Sequence, residues 1–416
     1  MNERAIGHPR VILVLMLAVA TVGATLFAMS PLLPDVARSF DVPVSVAGTL
    51  PGAYGIALAV SAPIFGLTAH RLARANVIAA GLAAFGLAWL FAVFARDFFW
   101  LMACAVAAGA ATGATLPAAY AYATDLSAPG DRARVLGRVL SGWSVATVLV
   151  VPAMSLASQV IDWRWAFGAL AVCALLLAAA IKRIAHPAAR AAHAEAGGTG
   201  GTGGAAEAGP AGGLDAGAIA AIVADLKRVA RHGHTRRLLA VNALDMGAVF
   251  AVYSFLGAEI RSANDWGATQ SGLMFSLYGI GLALLTLNAR WIDRIGPRRS
   301  ALAALALLVA WFCAIPWLVG VPAAMVVIIL GWGMLQATFF TSVTALAAEQ
   351  IPELRGVVIA LISGATFLGV AVYSPVAAWL YQQAGYYAVG LLSASGALAA
   401  LALLRPVPDV PRALAP

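Results

Sequence analysis

Charge is scarce in this chain. Asp, Glu, Lys and Arg together make up 11% of its 416 residues, and Lys182 and Lys227 are its only lysines. Soluble domains carry about 25% charged residues, so there is too little charge here to cover a water-facing surface. Cysteine is scarcer still. Cys104, Cys173 and Cys313 sit in apolar runs without CxxC spacing, which excludes a disulfide framework and a thiolate metal site. Both lysines follow bulky apolar residues rather than glycine, so no Gly-Lys-Ser/Thr loop exists to cradle a nucleotide phosphate. That excludes an ATP-driven pump within this chain. The six histidines form no HExxH pair, and His232 and His234 lie among arginines. Polar residues clustered around one catalytic centre are also missing. An enzyme, a cofactor and a metal are therefore not expected.

What the chain has in abundance is hydrocarbon. Hydrophobic residues make up 62% of it, and the mean hydropathy is +0.89. A bilayer core needs about 20 apolar helical residues to cross it. Runs of that kind fall at 11–33, 45–68, 76–95, 98–123, 138–160 and 165–181, then at 238–260, 269–290, 300–319, 322–348, 357–380 and 386–404. The first run follows Arg4 and Arg10 as a signal peptide would, but it is long enough to span and further spans follow. The segments should be helices, because a lone strand cannot satisfy its backbone in lipid. Placing the N-terminus in the cytoplasm and alternating leaves only Arg38, Arg96, Arg164 and Arg261 of the 26 basic residues outside. This bias supports twelve spans with both termini cytoplasmic. It also explains the net charge of +8 as a topology signal rather than a nucleic-acid surface.

An offset of 223 residues recurs along the chain. Arg38-Ser39 maps to Arg261-Ser262, His70-Arg71 to Asp293-Arg294, Pro129 and Arg132 to Pro352 and Arg355, Pro152 to Pro375, and Trp163 to Tyr386. Agreement at one ungapped offset points to two homologous six-helix halves. The division expected is a bundle over 1–181, a cytoplasmic Gly/Ala-rich linker over 182–237, and a second bundle with a short tail over 238–416. Within the linker, 194–217 is almost wholly Gly, Ala and Thr with scattered acids, and reads as flexible. The flank 218–231 reads either as a basic amphipathic helix on the membrane surface or as plain loop.

Paired six-helix halves resemble the major facilitator superfamily, and the loop motifs agree. Gly66-Leu67-Thr68-Ala69-His70-Arg71-Leu72-Ala73-Arg74 resembles a degraded copy of that family's G-x-x-x-D-R-x-G-R-R loop, and Asp293-Arg294-Ile295-Gly296-Pro297-Arg298-Arg299 is a fuller one. Gly130 to Gly137 looks like its loop between helices 4 and 5. Trp163-Arg164-Trp165-Ala166-Phe167 matches the W-R-W-x-F that opens helix 6 in the twelve-helix drug:proton antiporter group. Within that group the chain resembles bacterial arabinose-efflux-like and purine-efflux-like permeases. Two positions depart from the group's pattern. Ala105 stands where helix 4 usually carries an arginine, and Val151 and Ser155 stand where helix 5 carries glycines around Pro152.

The resemblance implies an all-α membrane protein of two pseudo-symmetric bundles in a bacterial-type inner membrane. It implies export of a small organic solute by alternating access in exchange for protons, with a monomer expected. A proton-coupled importer, an uncoupled facilitator and a non-transporting sensor remain the alternatives. It also implies a conformational latch of Gly66, His70, Arg71, Arg132, Asp293, Arg294, Gly296 and Arg355. In it Asp293 caps the start of helix 5 near Gly137, with Arg355 in pairing reach. His70, in place of the aspartate, gives a weaker cap at helix 11.

One carboxylate falls deep inside a span. Asp245 lies eight residues past Arg237, about 12 Å into the bilayer at 1.5 Å per residue. Intramembrane acids are costly and mark proton or cation contacts; a structural hydrogen bond to a neighbouring helix is the other reading. Helical spacing places Asn242, Tyr253 and Glu259 on the same face. The offset maps Asp245 to Val22, so any coupling is carried by one half. Tyr54, Tyr120, Trp143, Tyr278, Gln336 and Tyr373 are polar or amphipathic residues within spans and are candidate cavity walls, as they would be for packing. Pro152 and Pro375 are candidate hinges or simple kinks.

Overall fold

The computed structural model describes residues 9–68, 74–127, 131–196, 216–287 and 290–408. These are helical, with no strand among the described residues. In the first half, α1 is Pro9–Ser39, α2 is Leu50–Thr68 after a short Val44–Ala47 turn, α3 is Arg74–Val93 and α4 is Phe98–Asp125. Next, α5 crosses over Arg134–Val160 and α6 is Trp163–Ala196. A linker helix, Ala216–Arg231, precedes α7, Gly233–Asn264. In the second half, α8 is Ala268–Leu287, α9 is Pro297–Leu318 and α10 is Pro322–Gln350. The last run, Arg355–Leu404, is broken at Gly385, which divides it into α11 (355–384) and α12 (386–404). Gly385 has φ +72°, a conformation costly for any residue with a Cβ, so one glycine reverses the chain between two spans. Twelve crossings place the first and last described residues at one face, called the termini face. The other is the far face.

The spans lie where the apolar runs placed them, with two extensions into the expected linker. Helix α6 continues to Ala196, and α7 starts at Gly233 rather than 238. The early start has a local cause: His232 Nδ1 accepts from the backbone N–H of Thr235 at 3.3 Å and meets the Thr235 hydroxyl at 2.8 Å, satisfying an orphan donor of the first turn. The linker helix packs its last turn under the second half. Val229 is buried against the cluster around Leu354, Val358 and Leu404, and Arg228 pairs with Glu353 at 3.0 Å.

Helix α5 is not uniform. Residues Ala146–Val150 form a π-helical turn just before Pro152. Proline has no N–H to offer the helical ladder there, and the Val148 carbonyl lies within the π-turn. The Ser276 hydroxyl of α8 donates to it at 3.4 Å. Pro375, its duplicate, sits inside α11 with helical backbone on both sides. The paired hinges expected from the sequence thus differ in kind: a π-turn in one half and continuous helix in the other.

Close helix approach within each half rests on small residues. A Cβ on Gly109 of α4 would lie 3.0 Å from the Tyr54 carbonyl carbon of α2, and one on Gly333 of α10 the same distance from that of Tyr278. Backbone cannot step aside as a side chain can. Gly109→Val is therefore expected to destabilise the first half by about 1–3 kcal/mol, as overpacking does, seen as a lower thermal midpoint in detergent; an unchanged midpoint would contradict this packing.

Candidate functional site

Helices α1 and α7 meet where the duplication predicts an axis. Ser30 and Tyr253 are 223 residues apart, and the Ser30 hydroxyl donates to the Tyr253 carbonyl. A position touches its own duplicate only beside the pseudo-two-fold axis, so the axis passes through this contact. Around it the halves are tied together. Tyr253 donates from its hydroxyl to the Phe27 carbonyl at 3.1 Å, which is free because Pro31 cannot bond it. The Gly257 N–H donates to Ser30 Oγ at 3.0 Å.

Nearer the far face, Arg261 of α7 grips Asp35 of α1 with two parallel bonds of 2.9 Å. It also reaches the Pro31 carbonyl at 2.9 Å. Asp35 further accepts from Arg38 and, at 3.1 Å, from Ser158. Gln159 of α5 accepts from the Thr269 N–H that opens α8, at 2.9 Å. Among the described residues, the cross-half hydrogen bonds run from the far ends to the membrane middle.

The apolar core has the same asymmetry. One cluster runs through the first half and the far part of the second, while a separate cluster around Leu238, Val241, Leu346, Val358 and Leu404 fills the termini end of the second half alone. This form of the protein is closed at the far face.

A polar layer lies where those clusters divide. Val241 belongs to one and Ala248 to the other, with Asp245 between; Phe339 and Trp332 flank Gln336 in the same way. Asp245 is fully buried and accepts from Gln336 Nε2 at 2.6 Å. No basic side chain pairs with it among the described residues. Above this layer stands an aromatic roof. Tyr278 meets Trp332 at 5.4 Å and Tyr253 at 5.9 Å, and Phe27 joins Tyr278 at 5.9 Å to Trp143 at 6.0 Å across the halves. Trp143 donates from Nε1 to the Tyr120 hydroxyl at 3.0 Å, and both residues keep some exposed surface.

The candidate residues therefore separate. Asp245 and Gln336 come together, Tyr278 joins the aromatic roof, and Tyr120 pairs with Trp143 on the opposite half. Asn242 instead donates to the Ile362 carbonyl at 3.0 Å and to Thr366 Oγ1 at 2.8 Å, clamping α7 to α11. Glu259, fourteen residues on from Asp245, accepts from Tyr381 at 2.6 Å, about 21 Å along the helix, so one helix face does not make one site. Tyr54 is fully buried and bonds Thr112 at 2.6 Å within the first half. Tyr253 belongs to the roof. Tyr373 is wedged between α7 and α12, where Cβ atoms on Gly247 and Gly396 would strike it.

Of the latch, His70 and Arg71 lie outside the described residues, as do the side chains of Arg132 and Asp293; Gly66 lies in the last turn of α2. Arg294 and Arg355 are exposed, and Gly296 has φ +95° at the turn into α9. Asp35, Phe27 and Trp332 were not anticipated. Asp35 had a signal available: it lies one turn before Arg38, the duplicate of Arg261.

Comparison with known proteins agrees with this architecture. Residues 15–235 and 238–415 match the Major Facilitator Superfamily. The chain is 31% identical over 404 residues to the chloramphenicol resistance protein of Streptomyces lividans, covering 95% of each. It is 28% identical over 386 residues to the MFS-type transporter YwfA of Bacillus subtilis, covering 92% of this chain and 88% of that one. Two solved structures share the fold. The human organic anion transporter MFSD10 superposes with a TM-score of 0.68 at 20% identity, covering 97% of this chain and 100% of that one. A D-xylose–proton symporter superposes with a TM-score of 0.69 at 15% identity, covering 97% and 99%. With two duplicated six-helix bundles meeting at an axis between α1 and α7, and a family match on both sides of the linker, the chain belongs to the Major Facilitator Superfamily of transporters.

Proposed function

We propose that this protein exports a small organic solute from the cytoplasm in exchange for protons, with Asp245 as the proton-carrying group. The observation that carries the reading is a fully buried carboxyl in the membrane middle, without a basic partner among the described residues, at the junction of two apolar clusters. Such a group binds and releases protons as access alternates. The excess of basic residues at the termini face supports a cytoplasmic assignment of that face, on which reading the form described here is closed to the outside. Export is favoured by likeness to the Streptomyces lividans resistance protein and by Trp163-Arg164-Trp165-Ala166-Phe167. The second reading, proton-coupled import or uncoupled facilitation, has Ala105 in its favour: no arginine is available at that point of α4.

Direction is tested in inside-out membrane vesicles given labelled drugs, sugars and nucleosides. Energised vesicles are expected to accumulate a solute severalfold over controls lacking the protein, and a protonophore should abolish the difference. Accumulation in right-side-out vesicles instead would establish import. Accumulation indifferent to the protonophore would establish a carrier without protons.

A further inference from the structure

Three buried polar side-chain atoms on α7 and α10 have no hydrogen-bond partner: Asp245 Oδ1, Gln336 Oε1 and Trp332 Nε1. Their orientation follows from chemistry. A carboxylate only accepts, so the amide N–H of Gln336 must face Asp245, which leaves its carbonyl oxygen as the free end. Trp332 lies one turn before Gln336 on α10, on the same face. Tyr278 of α8 packs its ring 5.4 Å from that of Trp332. The opposite half is in direct ring contact, since Phe27 of α1 meets Tyr278 at 5.9 Å and the partly exposed Trp143 at 6.0 Å. An unpaired buried donor or acceptor costs about 1–3 kcal/mol, and Trp332, Gln336 and Asp245, one helical turn and one hydrogen bond apart, carry one such donor and two such acceptors.

We propose that these atoms form the recognition subsite for an uncharged solute carrying a carbonyl beside an N–H or O–H group, as amides and hydroxy-amides do. The solute carbonyl accepts from Trp332 Nε1, and its N–H or O–H donates to Gln336 Oε1 and Asp245 Oδ1. This deepens the transport reading and rests on it. The same geometry links solute to proton. Asp245 Oδ2 is occupied by Gln336, so an arriving proton adds to Oδ1. That atom then turns from acceptor to donor, and the solute N–H loses its partner as the proton binds.

The test is equilibrium binding of two labelled probes to purified protein in lipid nanodiscs: chloramphenicol, an uncharged hydroxy-amide, and tetraphenylphosphonium, a cation without hydrogen-bonding groups. Trp332→Phe keeps the ring and removes the N–H. Asp245→Asn mimics the protonated acid. Each is expected to weaken chloramphenicol binding about tenfold, equivalent to about 1.4 kcal/mol, with tetraphenylphosphonium binding by Trp332→Phe unchanged and thermal midpoints confirming folded protein. Folded Trp332→Phe that binds chloramphenicol as wild type does would overturn the subsite, as would wild-type protein that fails to bind it. Normal binding without transport in vesicles would instead count against the export reading alone.

Discussion

Arg261→Ala is expected to open the far face. The guanidinium joins the halves through two bonds to Asp35 and one to the Pro31 carbonyl, and the two side chains are only 12% and 17% exposed. Removing one member of a desolvated charge pair costs at least about 2 kcal/mol. Asp35 is not stranded by the loss, because Arg38 and Ser158 still donate to it, so the lower end of the range applies. At 1.4 kcal/mol per tenfold, the closed form should lose about thirtyfold in population relative to the open one.

Spin labels at Val46 and Gln383, both exposed near the far face on opposite halves, would report this in protein freed of its three cysteines. A longer distance should appear in Arg261→Ala and vanish again in the charge-swapped pair Asp35→Arg with Arg261→Asp. Arg38→Ala should change little, since its side chain is 71% exposed and bonds only within its own helix. A distance distribution in Arg261→Ala identical to wild type would remove this pair from the gate.

Asp245→Asn is expected to abolish solute-driven proton movement while leaving the bundle folded. Asparagine has nearly the same shape, and its carbonyl oxygen still accepts from Gln336 Nε2, so the tie between α7 and α10 survives. What is lost is the ability to cycle a proton. In inside-out vesicles, solute addition should move protons in wild type and give only background in the variant, with equal amounts of folded protein. The effect should be all-or-none because the described buried residues include no second acid. Proton movement that persists in Asp245→Asn would reduce Asp245 to a structural or solute contact.

The parts of this protein readable from sequence are those that repeat or that lipid imposes. Hydrocarbon thickness sets span length, so twelve apolar runs were visible as twelve helices. Even the break at Gly385 falls in the gap left before the last run. The 223-residue offset implied an axis, and Ser30 against Tyr253 sits on it. Side-chain partners were less readable. Tyr54, Tyr253 and Tyr373 are polar residues within spans like Tyr278, yet each has a packing partner that only the neighbouring helix supplies. Spacing along α7 grouped Asn242 and Glu259 with Asp245, but α7 touches α10, α11 and α1 at different heights. Neighbours on one helix face thus answer to different partners. Asn242 turns to Thr366, Asp245 to Gln336 and Glu259 to Tyr381.

The sequence alone therefore determined the membrane class, the number of spans, the duplication and the single deep acid. Each is a property of composition, period or position that holds whatever the helices pack against. The tertiary structure decided which face is shut, which residues shut it and which polar atoms meet. Asp35 and Arg261 lie 226 residues apart and become a pair only where α1 and α7 cross. The carbonyls of Phe27, freed by Pro31, and of Val148, in the π-turn, acquire side-chain donors from the opposite half. Contacts between distant segments depend on how the two bundles dock, and no local pattern in either bundle encodes that docking.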